Sequence, residues 1–105
     1  KEKMDKAIRL TNPSTEIIDE YEYEGIIKCE YEWKAILNNT SDRTWKGKVT
    51  IKFLDINGQI IEESTKRDIT LLSGSSVAIR KTSYVDKKIF NSRKKIVFEC
   101  EYQEN

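Results

Sequence analysis

From Ile27 to Leu37 every second residue is apolar or aromatic: Ile27, Cys29, Tyr31, Trp33, Ala35 and Leu37 alternate with Lys28, Glu30, Glu32, Lys34 and Ile36. Successive side chains of a β-strand point to opposite faces, whereas the apolar stripe of a helix recurs every three to four residues. The stretch therefore predicts a long strand with one face in a core and the other in water. Trp45, Gly47, Val49, Ile51 and Phe53 repeat the pattern against Lys46, Lys48, Thr50 and Lys52, and Ile96, Phe98, Cys100 and Tyr102 repeat it near the end. Asn38-Asn39-Thr40-Ser41-Asp42 is a loop by composition. After Phe53-Leu54-Asp55-Ile56, the pair Asn57-Gly58 predicts a two-residue type I′ hairpin, which wants positive φ at both positions and makes its flanking strands antiparallel neighbours.

The remaining segments are shorter. Asp68–Leu72 reads as an extended piece closed by a turn at Ser73–Ser76, and Val77–Val85 as a strand with Val77, Ile79, Tyr84 and Val85 as its apolar members. Ala7–Leu10 and Ile17-Ile18, separated by Asn12-Pro13-Ser14, predict a first strand split in two, with the proline at an edge or corner. In Glu20-Tyr21-Glu22-Tyr23-Glu24 the acids would face water and the tyrosines pack inward. Asp86–Asn91 has room for one helical turn, and nowhere does a 3.6-residue apolar stripe appear. The predicted core is Ile27, Cys29, Tyr31, Trp33, Ala35 and Leu37 with Val49, Ile51 and Phe53 and with Ile96, Phe98 and Cys100. Turn signals about every ten residues, without a repeat or linker, predict a single domain over residues 1–105, an all-β antiparallel sandwich or barrel.

The order from Tyr31 to Ile79 is particular: an aromatic-rich strand ending in N-N-T-S-D, a strand ending in F-L-D, the I-N-G-Q turn, an I-T-L-L segment, then S-G-S-S-V. This resembles the small immunoglobulin-like domains of bacterial cell-envelope proteins of the FxLYD type, with a strand ending in N-x-S, an f-x-D-x-x-G hairpin and L-x-P-G-E before the next strand. Ser73 and Ser75 stand where that pattern has proline and glutamate, and the match covers about half the chain. The resemblance implies an immunoglobulin-like β-sandwich of roughly six to eight strands. It also implies an extracytoplasmic accessory or protein-interaction module of an envelope protein or lipoprotein, with no catalytic residues to carry over. An immunoglobulin-like disulfide between Cys29 and Cys100 comes with the comparison, Trp45 lying 16 residues after the first cysteine and Phe98 two before the second. If the two strands run parallel in opposite sheets, about six residues along them separate the sulfurs by roughly 20 Å, too far to bridge. A bridge and a pair of reduced, buried thiols both remain open.

The chain has no histidine, which removes histidine triads, histidine-ligated zinc and histidine acid–base chemistry. Metal-ligand spacings and phosphate-cradling glycine loops are missing too. We expect a non-enzyme without cofactors. Lysine and arginine number 19 against 18 acids, so there is no strong net field for nucleic acid, which is not an expected partner. The charges are uneven, however. Seven acids between Glu16 and Glu32 face only Lys28, and seven bases between Arg80 and Lys95 face only Asp86. These segments are expected to pair across the fold. No apolar run is long enough for a membrane helix, and the chain opens on Lys1, as a processed form would. The expected contact surface for another protein, or for self-association, is Tyr21, Tyr23, Lys28, Glu30, Glu32 and Lys34. Two alternatives are a polyanion site on Lys46, Lys48 and Lys52 with Arg80, Lys81, Lys87 and Lys88, using Trp45 for stacking, and a protease-inhibitor-like loop at Asp86–Arg93.

Overall fold

The alternating runs form the strands they predict. The computed structural model describes residues 7–103, with β1 (Ile8–Tyr23), β2 (Ile26–Asn39), β3 (Trp45–Leu54), β4 (Ile60–Leu71), β5 (Ser76–Asp86), a helical turn α1 (Lys87–Asn91) and β6 (Lys95–Tyr102). Two three-stranded antiparallel sheets, ordered β1-β2-β5 and β4-β3-β6, pack face to face as an all-β sandwich. Between them lie Cys29, Tyr31, Trp33, Ala35 and Leu37 from β2, Val49, Ile51 and Phe53 from β3, and Cys100 from β6, all buried. Ile96 and Phe98 are half-buried on the same side, and Ile27, expected inside, is exposed at the start of β2, ahead of Lys28 where the pairing with β5 begins.

Three local expectations change. The first strand is continuous rather than split: a register irregularity at Thr11/Ser14 absorbs Asn12 at φ 52° and Pro13, and a second at Ile17/Asp19 takes up Ile18, without breaking the pairing with β2. Pro13 is tolerated because β1 is an edge. Likewise the pieces around Ile60 and Ile69 are one strand, bulged where Asp68 takes φ 59° between the partners of Val49 and Gly47. The Asn57-Gly58 turn is not type I′. Only Gly58 has positive φ there, the Gly58 amide donates to the Asp55 carbonyl, and the Asp55 amide donates to the Gln59 carbonyl. That is a three-residue loop, a type I turn followed by a left-handed glycine. The Asp55 carboxylate selects it by accepting the amides of Asn57 and Gln59, both at 2.9 Å.

Polar side chains inside the sandwich are paired. Trp33 Nε1 donates to Ser64 Oγ at 2.9 Å, Ser64 meets Ser83 at 2.6 Å, and the Tyr31 hydroxyl donates to Glu62 Oε2 at 2.9 Å. Asn39, 2% exposed, donates to the carbonyls of Leu71 and Arg43 and accepts from the Ser41 amide and hydroxyl. The Asn39-Thr40-Ser41 sequence thus serves turn chemistry at the junction of two loops. Tyr31 reaches Glu62 and Trp33 reaches Ser64, so β2 and β4 run the same way. β6, antiparallel to β3 as β4 is, therefore runs parallel to β2 in the opposite sheet. Trp33 packs edge-on against Phe98 with centroids 5.9 Å apart and sets their levels. Cys29 lies four residues before Trp33 and Cys100 two after Phe98, so about 20 Å of strand separates their levels. Both cysteines are buried thiols, and no Cys29–Cys100 bridge joins them. Burial pushes the Cys29 thiol pKa up, away from reactivity.

Candidate interaction face

The outward side chains of the β1-β2-β5 sheet follow from the register. Cys29, Tyr31 and Trp33 point inward, so their neighbours on β2 point out, and each outward residue sits between one from β1 and one from β5. Successive rows are Tyr21–Lys28–Asp86, Asp19–Glu30–Tyr84, Glu16–Glu32–Thr82 and Ser14–Lys34–Arg80. All six residues expected to form the contact surface therefore share one face: Lys28, Glu30, Glu32 and Lys34 along its centre, Tyr21 beside Lys28, and Tyr23 one step further on, opposite Ile26. The tyrosines do not pack inward as expected. Tyr23 is 59% exposed, and Tyr21 also lies in solvent.

Tyr84 joins them, 62% exposed and opposite Glu30. Sequence reasoning grouped it with the apolar members of its strand, yet its parity was legible. Val77, Ile79 and Val85 occupy odd positions of one strand, and an even-numbered residue in regular pairing must face the other way. The Glu30 carboxylate raises the Tyr84 phenol pKa, and the hydrogen bond to Asp86, 2.6 Å away, raises that of the Lys28 ammonium. Further along, a shallow groove of about 470 Å³ has Ile36 and Ala78 in its floor and Lys34 and Arg80 beside it.

The charged segments do meet. Lys28–Asp86 at 2.6 Å, Lys87–Glu20 at 3.1 Å and Arg80–Glu32 at 3.9 Å join the acidic and basic stretches across β1, β2, β5 and α1. The pairing is incomplete in an informative way. Glu16 lies directly opposite Glu32, and Asp19 directly opposite Glu30, arrangements that weaken a sheet by like-charge repulsion.

The alternative sites are not assembled. Trp45 is buried and unable to stack on a base, while Lys48 and Lys52 on the other sheet pair with Glu101 and Glu99. Arg80 lies on the outer face described above, and Lys81, on the other side of β5 and exposed, donates to the Thr65 carbonyl at 2.7 Å. The 86–93 segment is no presented loop. Its Phe90 plugs the end of the core against Tyr31 and Phe53, and the Arg93 guanidinium lies 3.8 Å above the Phe90 ring. Among the described residues no cluster of metal-ligating side chains gathers, and no helix is long and apolar enough to cross a membrane.

Two solved structures are similar to the chain. The X-ray structure of the structural genomics target SoR45 superposes with a TM-score of 0.57 at 15% identity, covering 77% of this chain and 64% of that one. A DUF1425 family member from Shewanella sp. pv-4 gives a TM-score of 0.46 at 9% identity, covering 89% of this chain and 80% of that one. This chain thus spans less than two thirds of the SoR45 chain. No family model and no curated protein matches the sequence. At such identities the likeness to SoR45 is one of fold, a small β-sandwich domain.

Proposed function

We propose that the chain is a non-catalytic protein-interaction module of a bacterial cell-envelope protein, of the FxLYD type, that binds through the outer face of β1, β2 and β5 and the hairpin joining β1 to β2. One observation carries the reading: Tyr21, Tyr23, Ile26 and Tyr84 stand exposed on the face of one sheet, among charged residues. Scattered surface hydrophobics need no explanation, but aromatic side chains sharing one face are the composition of protein contact surfaces. The resemblance of Tyr31–Ile79 to FxLYD domains supports the envelope assignment. Replacing Tyr21 and Tyr84 together by serine should leave the thermal melt within about 2 °C of the parent, since surface changes cost little. The same variant should lose crosslinking to the native partner from a photoreactive residue at position 23. Retained crosslinking would remove the face from the reading.

A further inference from the structure

The β1–β2 hairpin continues past Lys28, where the pairing of β2 with β5 ends, with apolar residues on both sides. Ile26 shares the outer face with Tyr23, Ile27 shares the inner face with Glu22, and all three apolar side chains are exposed. Between the inner face and α1 lies an open groove of about 510 Å³, lined by Gly25, Ile26, Ile27, Asp86, Lys87 and Lys88 among others. Charge divides across this end of the molecule. Glu22 and Glu24 on the hairpin are exposed and make no ion pair among the described residues, and neither does the exposed Lys88 on α1. One chain therefore carries, side by side, an acidic apolar finger and an apolar groove with a basic side. A twofold interface requires this, because each patch must hold both halves of its own complement.

We propose that the occupant of this groove is a second copy of the chain. Two copies meet tip to tip about a twofold axis, the hairpin of each lying in the groove of the other, with Glu22 and Glu24 facing Lys88 of the second copy. The proposal rests on the reading of the hairpin end as a contact surface and names what fills it. A single basic macromolecule would satisfy only the hairpin, and an anionic lipid surface would meet the acidic hairpin before the lysines.

The test is sedimentation of the whole chain over a range from about 1 μM to about 1 mM, which spans weak and moderate association. A monomer–dimer equilibrium that weakens with added salt is expected. Tyr23→Ser with Ile26→Ser should raise the dimer dissociation constant about a hundredfold or more, as buried aromatic and aliphatic anchors dominate interfaces. Glu24→Lys alone and Lys88→Glu alone should each weaken it about tenfold, since twofold symmetry counts each contact twice. Mixing those two variants should restore association, now as a heterodimer. A parent chain that stays monomeric throughout, a dimer indifferent to the hairpin variants, or a mixture that fails to recover would each overturn the proposal. If the parent is monomeric yet a photoreactive residue at position 23 captures a different protein, the second copy is wrong and the contact surface stands.

Discussion

Gly47 shows how closely single residues are fitted in this sandwich. A Cβ at that position would overlap the Glu101 carbonyl oxygen on the neighbouring strand and the Trp45 ring folded across it. Its backbone needs no unusual φ, so the constraint is space alone. Gly47→Ala should cost about 2 kcal/mol or more, an overpacking penalty read from the urea midpoint. Trp33 is the opposite case, a large side chain with no exposure, an edge contact to Phe98 and a hydrogen bond to Ser64. Trp33→Ala should cost roughly 3 to 5 kcal/mol. Trp33→Phe should also destabilise, because it removes the indole donor that Ser64 accepts from. Gly58, by contrast, has open space where a Cβ would go but φ of 80°. Gly58→Val should therefore cost about 1 kcal/mol or more through backbone strain. Both glycines are conspicuous in the sequence, but only Gly58 announces its reason, through the turn signal Asn57-Gly58. Nothing in the alternation of Trp45 to Phe53 says that an indole lies across residue 47.

Between elements, the seam joining β4 to β2 and β5 holds two groups whose protonation burial shifts, Tyr31 and Glu62. Burial raises the Glu62 carboxyl pKa, and the hydrogen bond from Tyr31 opposes that only in part. The native state therefore holds this proton more tightly than the unfolded chain does. Its contribution to stability is complete below the ordinary carboxylate range and is lost as pH rises through the raised native value. Above that window an ionised, half-buried carboxylate remains, so Glu62→Gln should be neutral or stabilising at pH 7. It should also flatten the fall in urea midpoint above about pH 4.3. Tyr31 works at the other end of the scale. Burial first, and the Glu62 carboxylate second, raise its phenol, so stability should fall as pH rises past about 10, where only the unfolded chain ionises. This seam was illegible beforehand. Period two places Tyr31 inside β2, but only the pairing of sheets reveals that Glu62 on an edge strand lies within reach of its hydroxyl. The long strands were legible from alternation, whereas the bulges at Asn12 and Asp68 were not, because an interrupted period looks the same as two short strands.

At the scale of the whole molecule, the two-sheet architecture and the face that gathers Tyr21, Tyr23, Lys28, Glu30, Glu32 and Lys34 were readable because strand parity alone decides which residues share a side. Charge placement across strands was not readable, since it depends on register. Only the β1–β2 register puts Glu16 opposite Glu32 and Asp19 opposite Glu30. A sheet shaped by its own stability would not place like charges opposite one another twice on one face. If that arrangement serves a partner, relieving it should strengthen the fold while weakening contact, the usual conflict between stability and function. Glu16→Lys tests this at an exposed position, converting the repulsive pair with Glu32 into an attractive one. A cross-strand ion pair contributes about 0.2 to 1 kcal/mol, so the melting temperature should rise by about 1 to 5 °C in a domain of this size. Crosslinking through position 23 should fall in the same variant. A melt that drops instead would mean that Glu16 is held by the native fold and not merely placed against it. A melt that rises with undiminished crosslinking would leave the acidic rows without a role in binding and confine the contact to the tyrosines and the hairpin.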